Sequence, residues 1–97
     1  MNIVVAQAAQ DELLHAVRFY AEKGGAGLAT AFTNEFERAT SRLVVQPLMG
    51  APFVAGTRRI VLRRFPYNLV YDVRADEIRI IAVAHQRRKP GYWQTGR

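Results

Sequence analysis

Apolar residues recur at two different periods along this chain, and the change of period falls near its middle. A short β-branched run, Asn2–Val5, reads as a strand. From about Gln7 to Lys23, Leu13, Val17, Tyr20 and Ala21 return at helical spacing, with Asp11 and Glu12 near the start, where acids favour a helix through its dipole. Gly24, Gly25, Ala26 and Gly27 then predict a break, because glycine is costly inside a helix and natural at its end. A second stripe, Leu28, Phe32, Phe36, Ala39 and Leu43, predicts another helix, which Pro47 stops. Two amphipathic helices joined by so short a link are expected to form an antiparallel hairpin.

Beyond the loop 47–56 the period shortens to that of strands. Three runs are expected: Thr57–Phe65, Asn68–Arg74 and Glu77–His85, joined by tight turns at Pro66-Tyr67 and Ala75-Asp76. Strict alternation places Ile78, Ile80, Ala82 and Ala84 on one face of the last strand, and Arg79, Ile81, Val83 and His85 on the other. The expected fold class is α+β: an N-terminal strand and a two-helix antiparallel hairpin packed on a C-terminal three-stranded antiparallel meander. The 97 residues fit one domain, 1–97, with one modest core.

Charge changes this picture only in the second half. Residues 1–50 carry four basic groups against five acidic ones, whereas residues 51–97 carry ten against three, within a net +6. Twelve of the fourteen basic residues are arginine, the side chain suited to bidentate contact with phosphate or carboxylate. The asymmetry points to an acidic partner, nucleic acid or protein, with a solubilising surface as the plainer alternative. The absence of cysteine excludes disulfides and thiolate metal sites and suits a reducing cytoplasm. No run reaches the ~20 apolar residues of a membrane span, and the first residues lack the pattern of a signal peptide. A cytoplasmic protein without membrane contact is expected.

Little on the chain supports a cofactor or metal. His15 and His85 are the sole histidines, without cysteine or paired-carboxylate spacing, and His15 reads as a surface ring. Ser41, the sole serine, stands mid-helix with no base beside it. One constellation remains: Arg59 and Arg63 on a strand, then His85, Arg87, Arg88, Lys89, Tyr92 and Trp93. Guanidiniums stabilise developing negative charge, rings stack on bases or anchor an interface, and histidine titrates near neutrality. The set fits a contact surface or a metal-free ribonuclease. Trp93 has a second reading, as a ring folded back on the sheet.

In "DELLHAVRFY", "GLATAFTNEFERA", "RRFPYNLVYDV" and "IRIIAVAHQRRKPGYW" the chain resembles the RelE/ParE superfamily of type II toxin–antitoxin toxins over nearly its whole length. The resemblance implies a small toxin held inactive by a cognate antitoxin, expected to be acidic and partly disordered. It implies one of two activities. RelE-like members cut messenger RNA on the ribosome; ParE-like members inhibit DNA gyrase. The RelE pattern has an arginine where this chain has Asn68, and two lysines where it has Arg59 and Val61. The spelling is closest to ParE-like sequences, so gyrase inhibition by contact is expected, with Arg59, Arg63, His85, Arg87, Arg88, Tyr92 and Trp93 facing the target. The ribonuclease alternative would use Arg59, His85, Arg88 and Tyr92; an inactive binding module is the third reading. The antitoxin is expected on Leu13, Val17, Tyr20, Phe32 and Phe36.

Overall fold

In a computed structural model that describes residues 1–94, strand β1 (Asn2–Val5) leads into one long helical element, α1 (Gln7–Val45). Residues 95–97 of the expected domain lie outside the described residues. The glycine-rich stretch predicts a four-residue link between two helices. The structure instead carries helix through Gly24, Ala26 and Gly27 and leaves helical geometry at Gly25 alone, at φ 78° and ψ −173°. That left-handed backbone is open to glycine without a side-chain clash. Chain direction changes there: the rings of Tyr20 and Phe32 stack 5.3 Å apart, whereas twelve residues of unbroken helix would separate them by about 18 Å.

The sheet also exceeds the expected meander. Its five strands run in the order β1-β5-β4-β3-β2, with β2 at Ala51–Pro52, β3 at Arg58–Val61, β4 at Tyr67–Arg74 and β5 at Glu77–His85. The β3–β4–β5 meander is its centre, β1 lies parallel to β5 on one edge, and β2 lies antiparallel to β3 on the other. The first meander strand is four residues long because the chain leaves the sheet at Leu62 and turns through Arg64, whose φ is 71°.

One irregularity reverses part of the expected face assignment. Val70 pairs with Ala82 and Tyr71 with Ile80, so Ile81 is an extra residue in β5. Such a bulge shifts alternation by one. Ile78, Ile80 and Val83 therefore face α1 and join the main core, while Ala82 and Ala84 turn to the outer face with Val70 and Trp93. His85 shifts with Val83 and meets the α1-facing Tyr67 edge to face at 5.2 Å.

The main core is built from the α1 stripe, Phe32, Phe36, Ala39 and Leu43, against Leu62, Phe65, Tyr67, Leu69, Tyr71, Ile78 and Ile80, all buried. Leu13, Val17 and Tyr20 pack against it from the first arm of α1. The loop after α1 is fastened from the sheet. The Tyr71 hydroxyl donates to the Pro47 carbonyl at 2.8 Å and accepts from the Gly50 N–H at 2.9 Å, and Arg58 Nη1 donates to the Gly50 carbonyl at 2.8 Å. A Cβ at position 50 would lie 2.6 Å from the Tyr71 hydroxyl and 2.8 Å from the Arg59 carbonyl, which leaves room for glycine alone.

Candidate functional site

The residues expected to form one electropositive patch occupy three places. Arg59 pairs with Val70 and shares its outer face; its guanidinium lies 4.7 Å from the Phe53 ring, which sits 5.5 Å from Trp93. Arg63 is not on a strand. It stands in the turn after β3, its backbone N–H donating to Glu35 Oε2 at 2.6 Å while its side chain is exposed. His85, Arg87, Arg88 and Tyr92 gather on the α1 side, at the end of β5.

Two expected roles are corrected by burial. Trp93 is 5% exposed and lies against Val70, Ala82 and Ala84, so it anchors the tail and presents no ring to a target. Alanines at 82 and 84 provide the flat floor on which an indole fits. Phe32 is 0% and Phe36 9% exposed, so both lie in the core and offer little surface to an antitoxin. Leu13, Val17 and Tyr20 are half-buried against the same core and retain only part of their surface.

The cluster on the α1 side forms a cleft of about 420 Å³ between the first arm of α1 and the ends of β4 and β5. Asp11, Glu12 and His15 form one wall, Tyr67, Val83 and His85 the floor, and Arg88 and Tyr92 the rim. A second hollow, of about 530 Å³, continues past His15, Tyr67 and His85 to Phe19, Pro66 and Arg87. Burial pushes the Tyr67 phenol above its ordinary pKa, which reinforces the protonated, donating form it already has at neutral pH. Arg87 N–H donates to His85 Nδ1 at 3.1 Å, which fixes the ring at the edge of the cleft. The Arg88 guanidinium rests 3.8 Å from the Tyr92 ring centroid, an arrangement that holds an otherwise mobile cation in place. Arginine, imidazole and phenol together suit an anionic or hydrogen-bonding partner. Among the described residues no group of three or more His, Cys, Asp or Glu side chains comes together as a metal site.

Sequence reasoning missed Asp11, Glu12, His15, Tyr67 and Val83 as members of this cleft. Glu12 signalled only a helix start, and Tyr67 was assigned to a turn. The pairing of Tyr67 with His85 across β4 and β5 is visible only once the register is known.

The family model for the ParE toxin of the type II toxin-antitoxin system parDE matches residues 3–90. This chain belongs to the ParE toxin family. Among solved structures, the toxin resembles the chromosomal ParDE TA system from P. aeruginosa, with a TM-score of 0.78 at 23% identity over 88% of this chain and 95% of that one. At that identity the likeness concerns the fold. No curated protein matches the toxin's sequence. No helix among its described residues is long and apolar enough to cross a membrane.

Elsewhere in the toxin, a buried carboxylate, Glu35, secures the turn that carries Arg63. Arg38 Nε and Nη2 donate to the two oxygens of Glu35 at 2.7 Å each, and the Arg63 N–H adds a third bond. The Arg38 bonds chiefly hold the Glu35 carboxyl below its ordinary pKa, aided by the Arg63 N–H and opposed by burial. A lowered folded-state pKa means that this stabilisation is complete above the ordinary value of 4.5 and is lost as pH falls through the folded value. Replacing Glu35 by alanine is expected to cost about 2–3 kcal/mol at neutral pH, since charged hydrogen bonds go and a partly buried N–H loses its acceptor. Glu35→Gln should show a flatter acid limb below about pH 4.5 than the parent. Urea denaturation followed from pH 7 to pH 3 measures both effects.

Proposed function

We propose that this ParE-family toxin acts in the cytoplasm by binding DNA gyrase and arresting its cleavage cycle, without catalysis of its own, and that a cognate antitoxin neutralises it. The carrying observation is that Arg59 and His85 stand on opposite faces of the sheet, with Asn68 buried in β4 between their strands. A RelE-type active site needs its cations converging on one phosphate, and that convergence is missing between these two positions. A contact surface needs only an exposed, positioned rim, and Arg87, Arg88 and Lys89 are all exposed at the end of β5. A supercoiling assay with purified toxin is the test. Inhibition at stoichiometric toxin is expected, and undiminished supercoiling at saturating toxin would overturn the reading.

The ribosome-dependent ribonuclease is kept as a second reading because the cleft brings His85, Arg88 and Tyr92 together without Arg59. Messenger RNA left intact after incubation with toxin and ribosomes removes it. Growth arrest on expression without antitoxin removes an inactive binding module.

For the antitoxin, charge and exposure favour an acidic, partly disordered segment with apolar anchors. Around the buried stripe, the exposed apolar side chains are Leu14 and Phe19 on the first arm of α1, Val44 and Val45 at its far end, and Leu48 in the loop that follows. Arg38 and Arg42 line a shallow depression beside Val45. These replace Phe32 and Phe36 as the proposed contact points. Association should slow as salt rises, because electrostatic steering acts mainly on the on-rate.

A further inference from the structure

β1 pairs with β5 only as far as the Val5–Ile80 register, while β5 continues to His85. Past that point its outer edge is met by a side chain from α1. Glu12 Oε1 accepts the Val83 backbone N–H at 3.0 Å, and Glu12 Oε2 accepts the hydroxyl hydrogen of Tyr92, eighty residues away in sequence. The Tyr92 ring in turn carries the Arg88 guanidinium at 3.8 Å. One carboxylate thus ties together the first arm of α1, the end of β5 and the segment after it.

We infer that Glu12 is the positioning residue of the target-facing segment Gln86–Tyr92: its carboxylate clasps Tyr92 against β5, and the clasped ring sets where Arg88 points. The assignment of that segment to the target rests on the gyrase reading above; the clasp itself does not. The Tyr92 ring packs beside Trp93 against the outer cluster, in which Trp93 is buried, while the Tyr92 hydroxyl reaches Glu12 on the α1 side. The outer anchor is apolar and holds the segment down. The inner anchor is polar and directional, since a hydrogen bond to an ionised group is both strong and geometrically restrictive. Orientation of the rim cation therefore depends on Glu12, although Glu12 itself lies in the cleft wall and reaches the target only through Tyr92.

Trypsin tests the clasp without reference to any target, because Arg87 and Arg88 lie within the clasped segment and cleavage there samples local opening. Glu12→Ala and Tyr92→Phe should each speed native-state cleavage after Arg87 and Arg88 by about tenfold, the equilibrium change that loss of one charge-assisted hydrogen bond produces. The double variant should be cleaved no faster than the faster single one, because both changes open the same contact. Glu12→Gln retains one acceptor oxygen for the Val83 N–H but meets the phenol with an amide N–H donor in place of an ionised acceptor, and should recover only part of the protection. Unchanged cleavage in Tyr92→Phe, or multiplied effects in the double variant, would overturn the clasp. Tyr92→Phe leaves the Val83 N–H bond in place, so it decides the matter even if Glu12→Ala folds poorly.

Supercoiling assays on the same proteins test positioning. Half-inhibitory concentrations should rise at least about fivefold in Glu12→Ala and Tyr92→Phe, at temperatures where both remain folded. Full potency in folded variants with an opened segment would overturn the positioning role. A parent protein that fails to inhibit gyrase would sink the gyrase reading alone, because the proteolysis result stands independently of it.

Discussion

Phe32→Ala is expected to lower the stability of the toxin by about 3–5 kcal/mol, the usual loss for emptying a buried phenylalanine site. Phe32 is fully buried at the centre of an aromatic cluster, with Tyr20 stacked at 5.3 Å and Phe65 and Tyr67 edge-on at 5.0 and 5.1 Å. No neighbour can collapse into the void, because each ring is held from another element: Tyr20 by the first arm of α1, Tyr67 by β4, Phe65 by the turn before it. Domains of this size have only about 5–15 kcal/mol in total. The melting temperature should therefore drop by about 12–40 °C, at about 4–8 °C per kcal/mol. Thermal unfolding by circular dichroism measures this directly. Phe32→Leu, which retains most of the volume, should cost less than half as much. The same variants separate core from interface: at a temperature where Phe32→Leu is folded, its antitoxin affinity should match the parent, whereas a contact residue would lose affinity without losing stability.

The helical stripe that places Phe32, Phe36, Ala39 and Leu43 inside was legible in the sequence, because apolar residues three and four apart over several turns line one face of a helix and must be covered. So were the limits of β5, set by a two-residue turn before Glu77 and by the polar run after His85. The outer half of the sheet was less so. β2 is two residues long and contains Pro52, too short to show any alternation. The bulge at Ile81 was invisible for a different reason. Ile80 and Ile81 are both apolar, so a strand with or without an extra residue between them spells the same pattern, and every face assignment after it inherits the error. That single residue moved His85 from the outer face to the cleft and put Ala82 and Ala84 under Trp93.

The cleft was the least legible feature, since its parts come from positions 11–15, 67, 83–88 and 92. In the sequence Glu12 reads as an acid near a helix start, although α1 begins at Gln7 and has no acid in its first turn, and Tyr92 reads as an exposed ring in a basic tail. Their hydrogen bond links sites that no local pattern connects. Charge asymmetry located the cationic half of the chain, yet it treated all arginines alike. Arg59 stacks on the outer face, the Arg63 backbone is tied to Glu35, and Arg88 lies on Tyr92, so equal charges have separate surroundings.

Trp93→Ala should have an effect of similar size to Phe32→Ala but of a different kind. The indole is 5% exposed and fills the floor formed by Val70, Ala82 and Ala84 beside Phe53, so removing it forfeits about 3–5 kcal/mol of contact. That loss falls on the docking of one terminal segment, since Trp93 belongs to the outer cluster and not to the main core between α1 and the sheet. Segments with few anchors open below the free energy of global unfolding. Cleavage by trypsin after Arg87 and Arg88 should accordingly rise about 100-fold or more, the equilibrium equivalent of about 3 kcal/mol, while the main thermal transition falls by less than in Phe32→Ala. Because Trp93 is the sole tryptophan, its emission in the parent should report undocking separately from the helical signal. In the parent, a red shift that precedes the loss of helix on heating is the expected result. Coincident transitions, together with a Trp93→Ala protein that melts as early as Phe32→Ala and resists selective cleavage, would mean that the outer cluster and the main core unfold as one unit. The segment bearing Arg87 and Arg88 would then owe its position to the global fold, with no local anchor of its own.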